Sequence, residues 1–182
     1  MVIVLNGYPG VGKLTIGRDL IEQVEGRLLD IHTVYNVAFA LTEFKSPEFR
    51  KTVEKIEEIA HDLIHKLPPQ QPVVLTTVLA GNAGDSDWGD EEWDRIEELG
   101  EARPPLCVVH VHCDVKENVE RITSMGRDRK RKIRDPDMAL RNQTEAKPLY
   151  GMGANHLLKL DTTGLTPHES ATTIAKWVNE VQ

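Results

Sequence analysis

Val4-Leu5-Asn6-Gly7-Tyr8-Pro9-Gly10-Val11-Gly12-Lys13-Leu14-Thr15 is the stretch that decides how this chain folds. From Gly7 to Lys13 its spacing is G-x-x-x-x-G-K. Such a loop closes on an anion with successive backbone N–H groups, and it needs glycine where the backbone turns left-handed. The apolar run Val2–Asn6 precedes it and an amphipathic stretch over residues 14–24 follows. Strand, loop and helix in that order aim the positive helix end at the same anion. The pattern predicts a phosphate-binding loop made of Gly7, Tyr8, Pro9, Gly10, Val11, Gly12, Lys13, Leu14 and Thr15. Lys13 is expected to bridge the outer phosphates of a nucleoside triphosphate. A glycine-rich turn without function is the alternative, and the flanking strand and helix weigh against it.

Beyond the loop, strand-like and helix-like segments alternate. Strands are expected over residues 27–31, 73–79, 106–112 and 156–160. A long helix over 47–67 carries an apolar stripe of Phe49, Val53, Ile56, Ala60, Leu63 and Leu67 at helical spacing. Residues 81–90 read as a polar loop, and an acidic helix over 90–102 carries Trp93, Ile96 and Leu99. Helices are also expected over 115–125, near 135–146 and over 166–181, the last with Thr166 as N-cap and Pro167 in the first turn. Five strands alternating with helices predict an α/β fold, a parallel sheet covered on both faces, in one domain spanning 1–182.

Composition narrows the function classes. The formal net charge of -7 is unlike that of a general nucleic-acid or anionic-membrane binder. No stretch approaches the roughly 18 apolar residues of a membrane span, and residues 1–5 lack the basic start of a signal peptide. Two cysteines, Cys107 and Cys113, make no disulfide framework, so a cytoplasmic setting is the default expectation.

The form Gly7-x-Pro9-Gly10-x-Gly12-Lys13-x-Thr15 resembles that of adenylate kinase and other nucleoside-monophosphate kinases. In order and length, most of the chain resembles the shikimate-kinase, gluconate-kinase and nucleoside-monophosphate-kinase group; only the loop does so at residue level. The resemblance implies a three-layer P-loop NTPase fold, a five-stranded parallel sheet flanked by helices, with a mobile lid. It also implies ATP and Mg²⁺ and transfer of the γ-phosphoryl group to a small-molecule or nucleotide acceptor. Thr15 would then contact phosphate. Leu14 departs from the usual Ser or Thr after the lysine, so the metal would be held largely through water, with Thr15 and Asp30 as the outer ligands. The lid corresponds to about 121–147, where Arg121 precedes a basic run over 126–134. Arg127 and Arg134 are its preferred catalytic members, because arginines offset the charge spread over the migrating phosphoryl group. A solvated basic helix face is the competing interpretation.

After the second strand, Asp30 matches the family position beside the γ-phosphate, as base or metal holder; a turn or N-cap role is the alternative. His32 and Asn36 are weaker acceptor contacts, and Trp88 is another. Thr76 and Thr77 are either strand residues or water-ordering groups, and residues 160–167 resemble the adenine-side loop. His61 and His65, four apart, lack the glutamate and third ligand of a zinc site and are expected on a surface. His110 and His112 are expected to be buried and hydrogen-bonded, and the acidic stretch over 85–101 to be solvated. Two other functions stay open: a nucleotide-binding regulator with little or no transfer, and a nucleic-acid-end kinase, for which the net charge is unfavourable.

Overall fold

The structure is a computed structural model that describes residues 1–81, 87–124 and 135–181. Five strands, β1 (Val2–Asn6), β2 (Arg27–Asp30), β3 (Val73–Thr77), β4 (Leu106–His112) and β5 (His156–Asp161), form one sheet in the order β2-β3-β1-β4-β5. Every pairing is parallel. The central strand β1 is buried from end to end, which is why it reads as a continuous apolar run rather than an alternation.

Among the described residues seven helices accompany the sheet: α1 (Lys13–Gln23), α2 (Ile31–Leu41), α3 (Pro47–His65), α4 (Asp87–Ala102), α5 (Val115–Thr123), α6 (Pro136–Thr144) and α7 (Pro167–Val181). On one face Ile16 and Leu20 of α1 and Ile174 and Val178 of α7 pack on Ile3, Leu5, Val74 and Val109. On the other, Ile64 of α3 and Trp93, Ile96 and Leu99 of α4 pack on Val2, Val4, Leu75 and Val108. The helix after β1 therefore lies on one face and the helix after β3 on the other. This opposition opens a crevice between the carboxyl ends of these neighbouring strands.

Local chemistry fixes the helix starts. Ser46 caps α3 by accepting from the Phe49 N–H at 3.1 Å, with Pro47 in the first turn. Thr166 and Glu169 cap α7 reciprocally: the Thr166 hydroxyl accepts from the Glu169 N–H at 3.2 Å and the Glu169 carboxylate accepts from the Thr166 N–H at 2.8 Å. Arg103, 6% exposed, donates to the carbonyls of Leu67, Pro68 and Gln71 and so closes the turn between α3 and β3.

Three features differ from the sequence expectation. Residues 31–41 form a helix that the sequence reading did not anticipate, because Ile31-His32-Thr33-Val34-Tyr35 has the β-branched look of a strand. Helix α4 begins at Asp87, inside the expected polar loop. On α3 the buried set is Phe49, Val53, Glu57 and Ile64, whereas Leu63 is 59% exposed. The stripe is rotated toward Glu57 because α2 and α4 close over that side of the helix. Among the described residues no helix is long and apolar enough to cross a membrane.

The rotation has a measurable consequence. Ile64→Ala should cost about 2–5 kcal/mol in urea unfolding, the range for emptying a packed aliphatic site. Leu63→Ala should stay within about 0.5 kcal/mol, as exposed changes do. Equal losses would restore the stripe expected from the sequence.

Candidate functional site

The loop after β1 is shaped by two left-handed residues, Gly10 (φ 95°) and Gly12 (φ 97°). A side chain at Gly10 would meet α5: a Cβ there would lie 2.6 Å from Ile122 Cγ1 and 2.8 Å from Asn118 Nδ2. The same helix braces the loop with hydrogen bonds. Asn118 Nδ2 donates to the Pro9 carbonyl at 3.2 Å, and Arg121 donates to the Val11 carbonyl at 3.2 Å and the Thr162 carbonyl at 2.8 Å. Arg121 also pairs with Glu117 one turn back. The arginine expected to open the lid thus ties the phosphate loop to the chain after β5. The expected members Arg127 and Arg134 lie outside the described residues.

Lys13 begins α1, and its ammonium folds back to donate to the Gly7 carbonyl and, at 3.0 Å, to the Tyr8 carbonyl. Gly12 is the N-cap without a side-chain cap bond, and the first turn of α1 has no acidic residue. The helix end therefore keeps its positive character for an anion. Thr15 is exposed and its hydroxyl donates to the Gly12 carbonyl at 2.7 Å. Tyr8 points elsewhere: its hydroxyl donates to the Lys147 carbonyl and accepts from the Lys147 N–H. Val11 is a core residue, 4% exposed.

Across the crevice, Asp30 ends β2 opposite Thr76 of β3, and the Thr76 hydroxyl donates to Asp30 Oδ1 at 2.5 Å. Asp30 occupies the N-cap position of α2 but makes no side-chain cap bond there, so its carboxylate faces the crevice rather than its own helix. The loop, Asp30, His32 and Thr76 line one cleft of about 650 Å³, and Arg121, Thr162 and Leu165 close its far end. Asn36 is exposed and Trp88 lies outside this cleft. The Trp88 indole N–H donates to Glu92 at 3.0 Å, and its ring packs against Tyr35 and Phe49.

Several residues in and around the site were not singled out from the sequence. Asn6, fully buried, donates to the Leu79 carbonyl at 2.9 Å and the Tyr150 carbonyl at 3.2 Å, and accepts from the Leu79 N–H at 3.0 Å. It holds the chain leaving β3 against the chain entering β5. A polar residue ending an apolar strand was the available signal. Glu92 was expected to be solvated with the rest of its acidic stretch, and Glu57 was not singled out, yet they are 5% and 8% exposed. Glu57 pairs with Arg95 at 2.9 Å, and Glu92 accepts from the Tyr35 hydroxyl at 2.9 Å. Burial raises the Glu92 carboxyl above the usual range, and burial with the nearby Glu92 raises the Tyr35 phenol. His110 is buried, with Nε2 2.9 Å from the Tyr150 carbonyl, as expected; His112 is instead exposed, because it ends β4 at the rim of the sheet. No group of three or more metal-ligating side chains stands among the described residues.

Residues 3–147 match the family described as AAA domain. The chain belongs to the AAA-domain family. No curated protein matches it. Among solved structures, this AAA-domain chain is similar to a shikimate kinase from Acinetobacter baumannii solved with shikimate, at 21% identity, TM-score 0.60, covering 100% of this chain and 94% of that one. It is similar to a gluconokinase from Sinorhizobium meliloti 1021 at 13% identity, TM-score 0.60, over 99% and 91% of the two chains. A sugar kinase from Janibacter sp. HTCC2649 gives 14% identity, TM-score 0.61, over 98% and 94%. The fold of the AAA-domain chain is accordingly the three-layer P-loop NTPase fold of these kinases.

The buried carboxylates of this AAA-domain protein give a pH signature. Burial first, and then the neighbouring Glu92, push Glu57 up to about 7 from 4.5, against the pull of Arg95. Between those values the folded protein keeps a proton that the unfolded chain has released. The resulting stabilisation is full below the ordinary value and is lost as pH rises through about 7. From about pH 5 to about pH 8 the melting temperature should fall more for wild type than for Glu57→Gln. Parallel profiles would show that Glu57 titrates as an ordinary carboxyl.

Proposed function

We propose that this protein is an ATP-dependent phosphotransferase that moves the γ-phosphoryl group to a small-molecule or nucleotide acceptor. The observation that carries this reading is a single cleft lined by Lys13 and Thr15 on one side and by Asp30 and Thr76 on the other. The kinase identities of the structural neighbours support it at the level of fold.

Successive N–H groups from Gly10 to Thr15, with the α1 N-terminus, bind the phosphates, and Lys13 offsets charge on the β- and γ-oxygens. The acceptor oxygen attacks the γ-phosphorus as the bond to the bridging oxygen breaks. ADP leaves with the electron pair, and the acceptor proton passes to the Asp30 carboxylate and on to water. Arg127 and Arg134 are proposed to offset the equatorial charge. The oxygen donors Asp30 and Thr15 suit Mg²⁺, whereas Leu14 offers no ligand, so this chain would hold the ion through water. Bound Mg²⁺ screens the phosphate charge. His32, which lines the cleft, faces the acceptor in this reading. Asn36 and Trp88 are retained as outer acceptor contacts, one on α2 and one on α4. Free Cys107 and Cys113 agree with a reducing cytoplasm.

Leu14 favours one second reading, a nucleotide-binding regulator with little transfer, because it removes the usual hydroxyl beside the lysine. The deciding experiment is thermal stability with and without ATP·Mg²⁺. At about 100 times its Kd the nucleotide should add roughly 2.7 kcal/mol. Lys13→Ala should abolish that gain and leave the unliganded melting temperature within about 2 °C, since the Lys13 ammonium donates to carbonyls of the loop and not to the core. No gain in wild type would overturn nucleotide binding; a gain without phosphoryl transfer to any acceptor would favour the regulator.

A further inference from the structure

A second, smaller cavity of about 40 Å³ lies behind the cleft, between β3, α3 and α4. Ile31 and Thr76 line both spaces, so the two adjoin. Its walls are apolar at Leu29, Val34, Leu75 and Ile96, and charged at Glu57, Glu92 and Arg95, with His61 beside them. That volume suits one group the size of a water molecule or an ammonium.

Two independent observations bear on what belongs there. The first is charge. Burial, followed by the charges of Arg95 and His65, lowers the His61 imidazole below its usual value and so disfavours a positive charge there. Two carboxylates then face a single guanidinium, an excess of one negative charge when both are ionised. The second is Thr77. It is 3% exposed, it lines the cavity, and its hydroxyl has no hydrogen-bond partner among the described residues. A buried hydroxyl without a partner in a native strand calls for one. Thr77 shares the β3 face of Val73 and Leu75, the face that packs on α3 and α4. Arg95 Nε is likewise unpartnered, although the Arg95 side chain is 25% exposed.

We propose that this cavity receives an ammonium group of the phosphoryl acceptor, which makes the acceptor an amino alcohol rather than a hydroxy acid. The inference rests on the phosphotransfer reading for its biological sense, but the cavity can be tested without it. An ammonium supplies donors to the two carboxylates and to the Thr77 oxygen, and it removes the excess negative charge. A carboxylate in the same place would instead add to the negative charge of Glu57 and Glu92. With the ammonium seated, the rest of the acceptor passes Ile31 and Thr76 into the main cleft, where Asp30 stands ready for its hydroxyl.

The probes are ethanolamine, ethylene glycol and glycolate, which share a hydroxymethyl end and differ in the charge of the other. Protein carrying carboxyl-¹³C glutamate is titrated with each at about pH 8, above the shifted Glu57 range, and the Glu57 and Glu92 signals are followed by NMR. Ethanolamine should shift both signals saturably, and it should bind at least about tenfold more tightly than either other probe, as expected for a hydrogen-bonded charge. Thr77→Val keeps the shape of the strand residue and should weaken ethanolamine binding about tenfold, with an unchanged ATP-induced stability gain. Equal response to all three probes, tighter binding of glycolate, or an unaffected Thr77→Val variant would overturn the assignment. Absence of the ATP gain together with selective ethanolamine binding would overturn the phosphotransfer reading and leave the cavity assignment standing.

Discussion

Helix α5 presses so closely on Gly10 that the phosphate loop has no room for a side chain there. Ile122 occupies the volume a Cβ would need, Asn118 fixes the Pro9 carbonyl, and Arg121 fixes that of Val11. The left-handed turns at Gly10 and Gly12 give the loop a backbone form that can present its N–H groups to an anion. The position of α5 itself depends on β4, because Asp114 caps the helix two residues after that strand ends. A local glycine motif is therefore held in register by a segment more than a hundred residues away.

What could be read from the sequence follows from how local each signal is. The loop, its strand and its helix are contiguous, so their chemistry is written within residues 2–23. The parallel sheet was legible because buried strands are apolar along their whole length. Helix α2 was not, since its sequence has no polar period and three of its large apolar side chains, Val37, Phe39 and Leu41, face solvent. Glu92 was misjudged, and Glu57 passed over, because a carboxylate on a charged helix is normally solvated; only the meeting of α2, α3 and α4 buries them. Trp88 was noticed as an acceptor contact, but its bond to Glu92, four residues on, became visible only because α4 starts at Asp87, before the expected helix.

The molecule divides its labour by sheet face. The α1 and α7 side is almost wholly apolar and carries the stiffness of the nucleotide-binding half. The opposite side mixes apolar packing with charge, and a small aromatic group of Tyr35, Phe39, Phe49 and Trp88 joins α2 to α3 and α4. Buried charges in that half contribute less to stability than apolar residues of similar size would.

The Lys13 ammonium rests on the carbonyls of Gly7 and Tyr8 before any guest arrives. A lysine waving in solvent would surrender mobility and a hydration shell at the moment of capture. Here the side chain is already docked, like a latch held half-closed by the loop that it will later lock. In the proposed phosphotransfer, capture would be an exchange of one set of oxygen atoms for another, with the entropy of holding that cation in place already settled by folding.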